Sequence, residues 1–255
     1  MKYYLCFGIL LKWLLFTSCV KDTKIEPEQP VKKDSTQLIV DFTAIANNEK
    51  LALTTKTYTN SSGDFFSVNM FNYYVSNVKL INVDGSVYIE PESYHLIKHT
   101  DGKTSFTIEK LPQGDYTQIE FLIGVDSIRN ISGAQVGALD VANQMFWEWE
   151  SGYIFLKLEG NYVSSSVTIE EAYAIHIGGF KGKFKCLQTA MLNFNTTLNA
   201  VGSKPSKIHI NTVIDEIFKT PKHIGFDSYY GAIGDPMFKS ISENYKDMFV
   251  IAGVE

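Results

Sequence analysis

From Leu38 onward the chain alternates apolar and polar residues in short runs, beginning with Gln37-Leu-Ile-Val-Asp-Phe-Thr-Ala. A period of two sends successive side chains to opposite faces, so each run reads as a half-buried strand. Such runs cover residues 37–44, 72–81, 86–90, 94–98, 105–109, 116–125, 152–159, 171–177 and 207–211. They are rich in β-branched and aromatic residues, which fit a pleated surface. Turn residues at Asp84-Gly85, Asp101-Gly102 and Pro112-Gln-Gly-Asp115 separate them. Many short strands without alternating long helices predict an all-β fold, an antiparallel β-sandwich or barrel-like sandwich with long loops. No repeat or internal linker divides it, so residues 37–255 form one expected domain. Short helical segments are expected at 213–219 and 238–246.

The pattern breaks before residue 37. Residues 1–18 pair a basic start (Lys2) with an apolar run and small residues at Thr17-Ser18, the layout of a secretory signal peptide. The run is too short and too interrupted for a transmembrane helix, which needs about 20 apolar residues. Cys19 follows Phe16-Thr17-Ser18 and resembles the lipidated cysteine of a bacterial lipobox; plain cleavage leaving an ordinary cysteine is the alternative. Residues 19–36 are charged and Pro-containing and bury little, which predicts a flexible tether from a lipid anchor. The expected location is therefore the cell envelope, as an outer membrane lipoprotein facing the periplasm or the surface. The charged residues after Cys19 resemble export signals of Bacteroidetes-type surface lipoproteins.

Composition narrows the classes further. With 17 Phe, 14 Tyr and 3 Trp, and 45% hydrophobic residues, the chain can build a core. A net charge of −5 offers no clustered basic face, so no nucleic-acid partner is expected. Three cysteines exclude a disulfide scaffold and a Cys-rich zinc module, and Cys186 reads as a small buried hydrophobe. Phosphate-loop, dinucleotide, zincin and nucleophile-elbow motifs are all missing, so the chain is read as a non-enzyme.

The densest stretch runs from Ile123-Gly-Val-Asp-Ser to Met145-Phe-Trp-Glu-Trp-Glu-Ser-Gly-Tyr153. So long a loop is usually functional. Trp147 and Trp149 share a face if extended there; they form either an aromatic lid over the core or part of a binding site. The nearby carboxylates Asp140, Glu148, Glu150 and Glu159 read as a solvated loop. Calcium near Asp126 or Asp140 competes with simple capping of backbone amides. Among the five histidines, His176 sits opposite the isoleucines of Ala174-Ile-His-Ile-Gly178, with small neighbours that leave room for a ligand or another side chain. His95 points away from Tyr94 and Leu96. Two imidazoles on neighbouring strands would suit copper or zinc; hydrogen-bonded surface histidines are the alternative. His99, before the Thr100-Asp-Gly turn, is expected to be exposed, and His209 and His223 lack ligand-like spacing.

Several ordered blocks together carry a resemblance. Phe71-Asn-Tyr-Tyr-Val-Ser-Asn-Val-Lys-Leu-Ile, Ser93-Tyr-His-Leu-Ile, Ser132-Gly-Ala-Gln-Val-Gly-Ala-Leu-Asp, Met145-Phe-Trp-Glu-Trp, Ser151-Gly-Tyr-Ile-Phe-Leu-Lys-Leu-Glu-Gly and His176-Ile-Gly-Gly-Phe resemble the MbnP-like family. Its members are secreted or lipid-anchored bacterial proteins related to the copper-binding partner of a di-haem MbnH-type enzyme. The resemblance implies an all-β envelope protein that binds copper through histidines and an oxidised tryptophan. It carries over to His95 and His176 as ligands and to Trp147 or Trp149 as the oxidisable residue. The rival expectation is a surface glycan- or protein-binding β-sandwich lipoprotein without metal.

Overall fold

The structure is a computed structural model that describes residues 34–133, 135–148, 151–166, 168–228 and 236–255. The leader, Cys19 and nearly all of the tether lie outside the described residues, as do Trp149 and Glu150. In chain order the strands are β1 (Ser35–Ala46), β2 (Glu49–Lys50), β3 (Thr57–Thr59), β4 (Phe65–Ser67), β5 (Met70–Asn82), β6 (Val87–Ile89) and β7 (Tyr94–Lys98). Then come β8 (Ser105–Pro112), β9 (Gly114–Ile123), β10 (Ile154–Val163), β11 (Glu171–Gly178), β12 (Gln188–Ala200), β13 (Ser206–Val213) and β14 (Phe249–Val254). Helices are few: α1 (Ser127–Asn130), α2 (Pro236–Tyr245) and some 3-10 turns, including Ile214–Phe218. The two helical segments expected near the C-terminus are thus present.

The strands form two sheets packed face to face. The smaller has β14, β13 and β1 in order, with β8 and β2 on the far edge of β1. The larger has nine strands centred on β5. The expected sandwich is present, with one parallel pair, β1 beside β13 in register from Leu38↔Ser206 to Ile45↔Val213. In β1 the alternation works as read: Leu38, Val40, Phe42, Ala44 and Ala46 are buried, and the residues between them are not. Phe42 meets Tyr73, Phe121 and Phe249 edge-on between the sheets, at ring centroid distances of 6.0, 6.2 and 6.0 Å. The Tyr73 hydroxyl shares a 2.8 Å hydrogen bond with Thr212 Oγ1 of β13, satisfying both buried polar groups.

Strand β5 is buried on both faces from Phe71 to Ser76, the polar Asn72 and Ser76 included. Phe71, Tyr73 and Val75 point between the sheets; Asn72, Tyr74 and Ser76 point outward. One edge of β5 carries β7 and β6. The other carries β9 at Val75↔Ile123 and β10 at Tyr73↔Leu156, both antiparallel to β5. Strands β9 and β10 therefore lie end to end along one edge, and the described residues between them, 124–133, 135–148 and 151–153, are an excursion from that single line. The excursion folds back over the outer face as a lid. Tyr74 donates to Ala138 O at 2.9 Å and Tyr153 to Leu139 O at 2.6 Å. Asn130, 2% exposed, accepts from Tyr153 N at 2.9 Å and donates to Val125 O and Asp126 O, tying the exit of the lid to its return.

His99 departs from expectation. Instead of facing solvent, it stacks on Phe71 at 5.1 Å and leans on Tyr73 at 5.8 Å. Its Nε2 is buried without a hydrogen-bond partner. Burial disfavours the charged imidazolium and pushes its pKa down to about 4. The turn that follows is exposed; the residue before it is drawn inward by the aromatic rows of β5.

Candidate functional site

The outer face of the larger sheet, beneath the lid, gathers the most chemistry. Strands β10 and β11 form a hairpin pair with Lys157 opposite His176 and Glu159 opposite Ala174. Residues 157, 159, 174 and 176 thus share one face. His176 Nε2 lies 2.6 Å from Glu159 Oε1, a diagonal cross-strand contact. Burial lowers the His176 pKa; the Glu159 hydrogen bond opposes this, while the Lys157 charge reinforces it. The net shift is downward, which favours a neutral imidazole, the form that ligates metals.

Trp147 joins this face through Gly178. An added Cβ at Gly178 would lie 2.5 Å from Trp147 Cζ3 and 2.5 Å from the Tyr153 carbonyl oxygen, so the half-buried indole occupies the space a side chain would need. His176 and Gly178 are two residues apart on β11, so their outward positions are roughly 7 Å apart on one face. The room left by small neighbours around His176 is filled by this tryptophan. Its backbone is held by Trp147 N donating to Gly152 O at 3.1 Å and by Ile154 N donating to Met145 O at 2.9 Å. Phe146 pairs with Tyr153 across the same turn, ring centroids 5.0 Å apart.

His95 lies elsewhere. It is opposite Val75 on β7, which places it on the inner side of the sheet. Its ring stacks on Phe106 of the other sheet at 3.6 Å, and its Nε2 meets Glu90 Oε2 at 2.8 Å. His176 aligns through Lys157 with Asn72, on the opposite face of β5, and three strand spacings separate β11 from β7. Bonds of about 2 Å from one ion to both rings are incompatible with that arrangement. The expectation that β-pairing would join His95 and His176 in one shell is corrected: each histidine instead has its own carboxylate. Among the described residues, no group of three or more His, Cys, Asp or Glu side chains is placed to hold a metal.

The remaining candidates have structural work. Asp126 caps α1, accepting from Ile128 N at 2.9 Å and Arg129 N at 3.1 Å, while its other oxygen takes the Tyr94 hydroxyl at 2.6 Å and Asn77 at 3.1 Å. Asp140 caps the next turn through Ala142 N at 2.9 Å. Both fill the capping role that competed with calcium. His209 is clasped by Asp41 at 2.6 Å and Glu255 at 3.1 Å, and Cys186 is buried. Glu159, at the end of the expected strand 152–159 although grouped with the solvated carboxylates, lies inside β10. Its pairing with His176 was the signal missed: Lys157-Leu-Glu159 and Ala174-Ile-His176 lie on consecutive strands with matching parity.

The MbnP family profile matches residues 35–232. A solved structure described as "MbnP from Methylosinus trichosporium" is similar at 14% identity and a TM-score of 0.46, over 71% of this chain and 76% of that one. No curated protein matches.

Proposed function

Because this chain belongs to the MbnP family, matched across residues 35–232, we propose that it is a non-enzymatic copper-binding protein, lipid-anchored through Cys19 in the cell envelope. In this reading the copper site centres on His176, and Trp147 is the indole that a di-haem MbnH-type partner oxidises. The observation that carries it is the seating of Trp147 on Gly178, beside an imidazole whose pKa is lowered and whose Nε2 faces the Glu159 carboxylate. Imidazole is a good copper ligand, and the site offers one nitrogen from His176 and an oxygen from the neighbouring Glu159 carboxylate. Glu159 orients the ring and can itself donate oxygen. The lid confines one side of the site, and the indole supplies an electron-rich wall there. Bound copper would supply the redox chemistry; the chain supplies the nitrogen, the carboxylate and the enclosure.

Metal analysis of protein purified from its native host provides the test. His176→Ala is expected to lose at least ten-fold in copper occupancy, whereas His95→Ala, on the opposite face, retains it. Occupancy unchanged in His176→Ala would reject the site. Co-expression with the haem partner should shift the mass of the peptide carrying Trp147; an unmodified peptide would remove the redox-client part of the reading.

A metal-free surface-binding role has one observation in its favour. The lid exposes Ile128, Ile131 and Val136 at 74%, 67% and 85% of their surface. An apolar lid suits contact with another protein.

A further inference from the structure

The outer edge of β1 carries two neighbours end to end, and the ladder breaks between them. Strand β8 pairs with β1 as far as Asp41↔Ser105, and β2 pairs with it from Ile45↔Lys50. The flanking bonds run from Phe42 N to Thr104 O and from Leu51 N to Ala44 O, each at 2.8 Å. In a complete antiparallel ladder each of those residue pairs would exchange two bonds. Here each makes one. Phe42 O, Thr104 N, Ala44 N and Leu51 O have no hydrogen-bond partner among the described residues. The cause is that both neighbours leave for the other sheet at this point. Lys103 exchanges two backbone bonds with Lys98 of β7, and Thr54 N donates to Val68 O, just past β4.

The gap opens on a cavity of about 460 Å³ bordered by Phe42, Ala44, Leu51, Leu53, Thr104 and His99. His99 reaches it from the larger sheet, with its buried Nε2 unpaired. The residues that carry all five unmatched polar atoms thus border one space. Native proteins rarely leave such groups without a partner. The volume far exceeds the share of one water molecule, about 30 Å³, and falls in the small-ligand range of about 300–1,000 Å³. Its lining is also neutral inside. Burial keeps His99 uncharged at neutral pH. Of the charged residues on the border, Asp41 is bound to His209 at 2.6 Å and Lys50 stands on the exposed β2. An ion drawn inside would lose its hydration without gaining an enclosed counter-charge.

We propose that this cavity binds a small neutral molecule through a primary carboxamide, whose oxygen accepts from Ala44 N and whose N–H groups donate to Phe42 O and His99 Nε2. A carboxamide carries one acceptor and two donors in a single plane, which supplies both kinds of partner that the broken ladder lacks. The apolar remainder of the molecule rests on Leu51 and Leu53. The site is built from β1, the segment after β2 and the turn after β7, on the inner side of the larger sheet. It needs no metal and stands apart from the copper reading.

Titration of the full chain with benzamide, followed by backbone amide and imidazole nitrogen NMR, tests this directly. Saturable shifts of the Ala44 N–H and of His99 Nε2 are expected. Acetophenone, which keeps the ring and carbonyl but has no N–H, should bind at least ten-fold more weakly, and so should the anion benzoate. His99→Phe should weaken benzamide binding several-fold, and Leu53→Trp, which fills the cavity, should abolish it. Lys79→Met, which removes a lysine paired with Glu120 away from the cavity, should change nothing. Thermal melts of each variant separate loss of binding from loss of fold. If the Ala44 N–H shows no saturable shift and exchanges magnetisation with water alone, the gap holds ordered water only and the proposal is wrong. Equal binding of acetophenone or benzoate, or undiminished benzamide binding by His99→Phe that melts like wild type, would overturn the carboxamide assignment.

Discussion

Gly178→Ala is expected to unseat Trp147 and to cost about 1–3 kcal/mol of stability, the usual range for an overpacked site. The added methyl would fall 2.5 Å from both the indole and the Tyr153 carbonyl oxygen. The indole can swing away, but the carbonyl belongs to the backbone that brings the lid back into β10, so relief requires the lid itself to shift. Two readouts should move together: a lower denaturant midpoint, and a red-shifted tryptophan emission as the half-buried ring reaches water. Copper occupancy should fall with them if the site centres on His176. Gly253→Ala is the control, because a methyl there meets nothing within 4 Å and its φ is unexceptional. An unchanged midpoint and emission spectrum in Gly178→Ala would show that Trp147 does not rest on β11.

Acid should weaken this fold well before its carboxylates protonate. His99 has a folded pKa of about 4 against an ordinary 6.5, because burial penalises its charged form. Between those values the unfolded chain binds the proton and the folded chain does not, so stability rises with pH. The contribution is fully present above about pH 6.5 and lost as pH falls through about 4. A gap of this size corresponds to about 3 kcal/mol. His176, also shifted down, adds a loss of the same sign. Asp227 does not confuse the window, since the hydroxyls of Ser164, Ser166 and Ser165 hold its pKa near 2. Replacing the imidazole by an apolar ring of similar shape, His99→Phe, should flatten most of the slope in urea midpoints between pH 7 and pH 4. It should cost little at pH 7, because the buried nitrogen has no hydrogen bond to lose. An equally steep slope in the variant would mean that His99 is solvated in the folded protein.

Much of the sandwich was legible because its central strands bury whole faces. β1 alternates cleanly, β10 alternates from Leu156 onward, and β5 is rich in aromatic and β-branched residues where sheet and lid cover both of its sides. β12 escaped notice for the opposite reason. It sits at the end of its sheet, and most of Asn193–Asn199 is exposed, so its sequence advertises solvent rather than pairing. β14 is short and was hidden after α2. No local pattern announces that β1 will pair in parallel with β13, whose residues lie far along the chain.

The candidate site shows the same division. Parity within a strand was readable, and it correctly set His176 on the face opposite Ile175 and Ile177. Which faces of two different strands coincide depends on register, and three strand pairings separate His95 from His176. The nearer partner, Glu159, required only the hairpin between β10 and β11. Burial of His99 was invisible, since a turn sequence says nothing about the aromatic side chains it is pulled against.

The seam between β9 and β10 has an evolutionary implication. Gly124 still donates to Tyr74 O, and Leu156 already faces Tyr73, so the chain departs and re-enters almost at the same rung. Any segment whose ends meet there can be spliced in without redrawing the ladder on either side. The scaffold is thus built like a socket that takes interchangeable cassettes while the ladder around them keeps its shape.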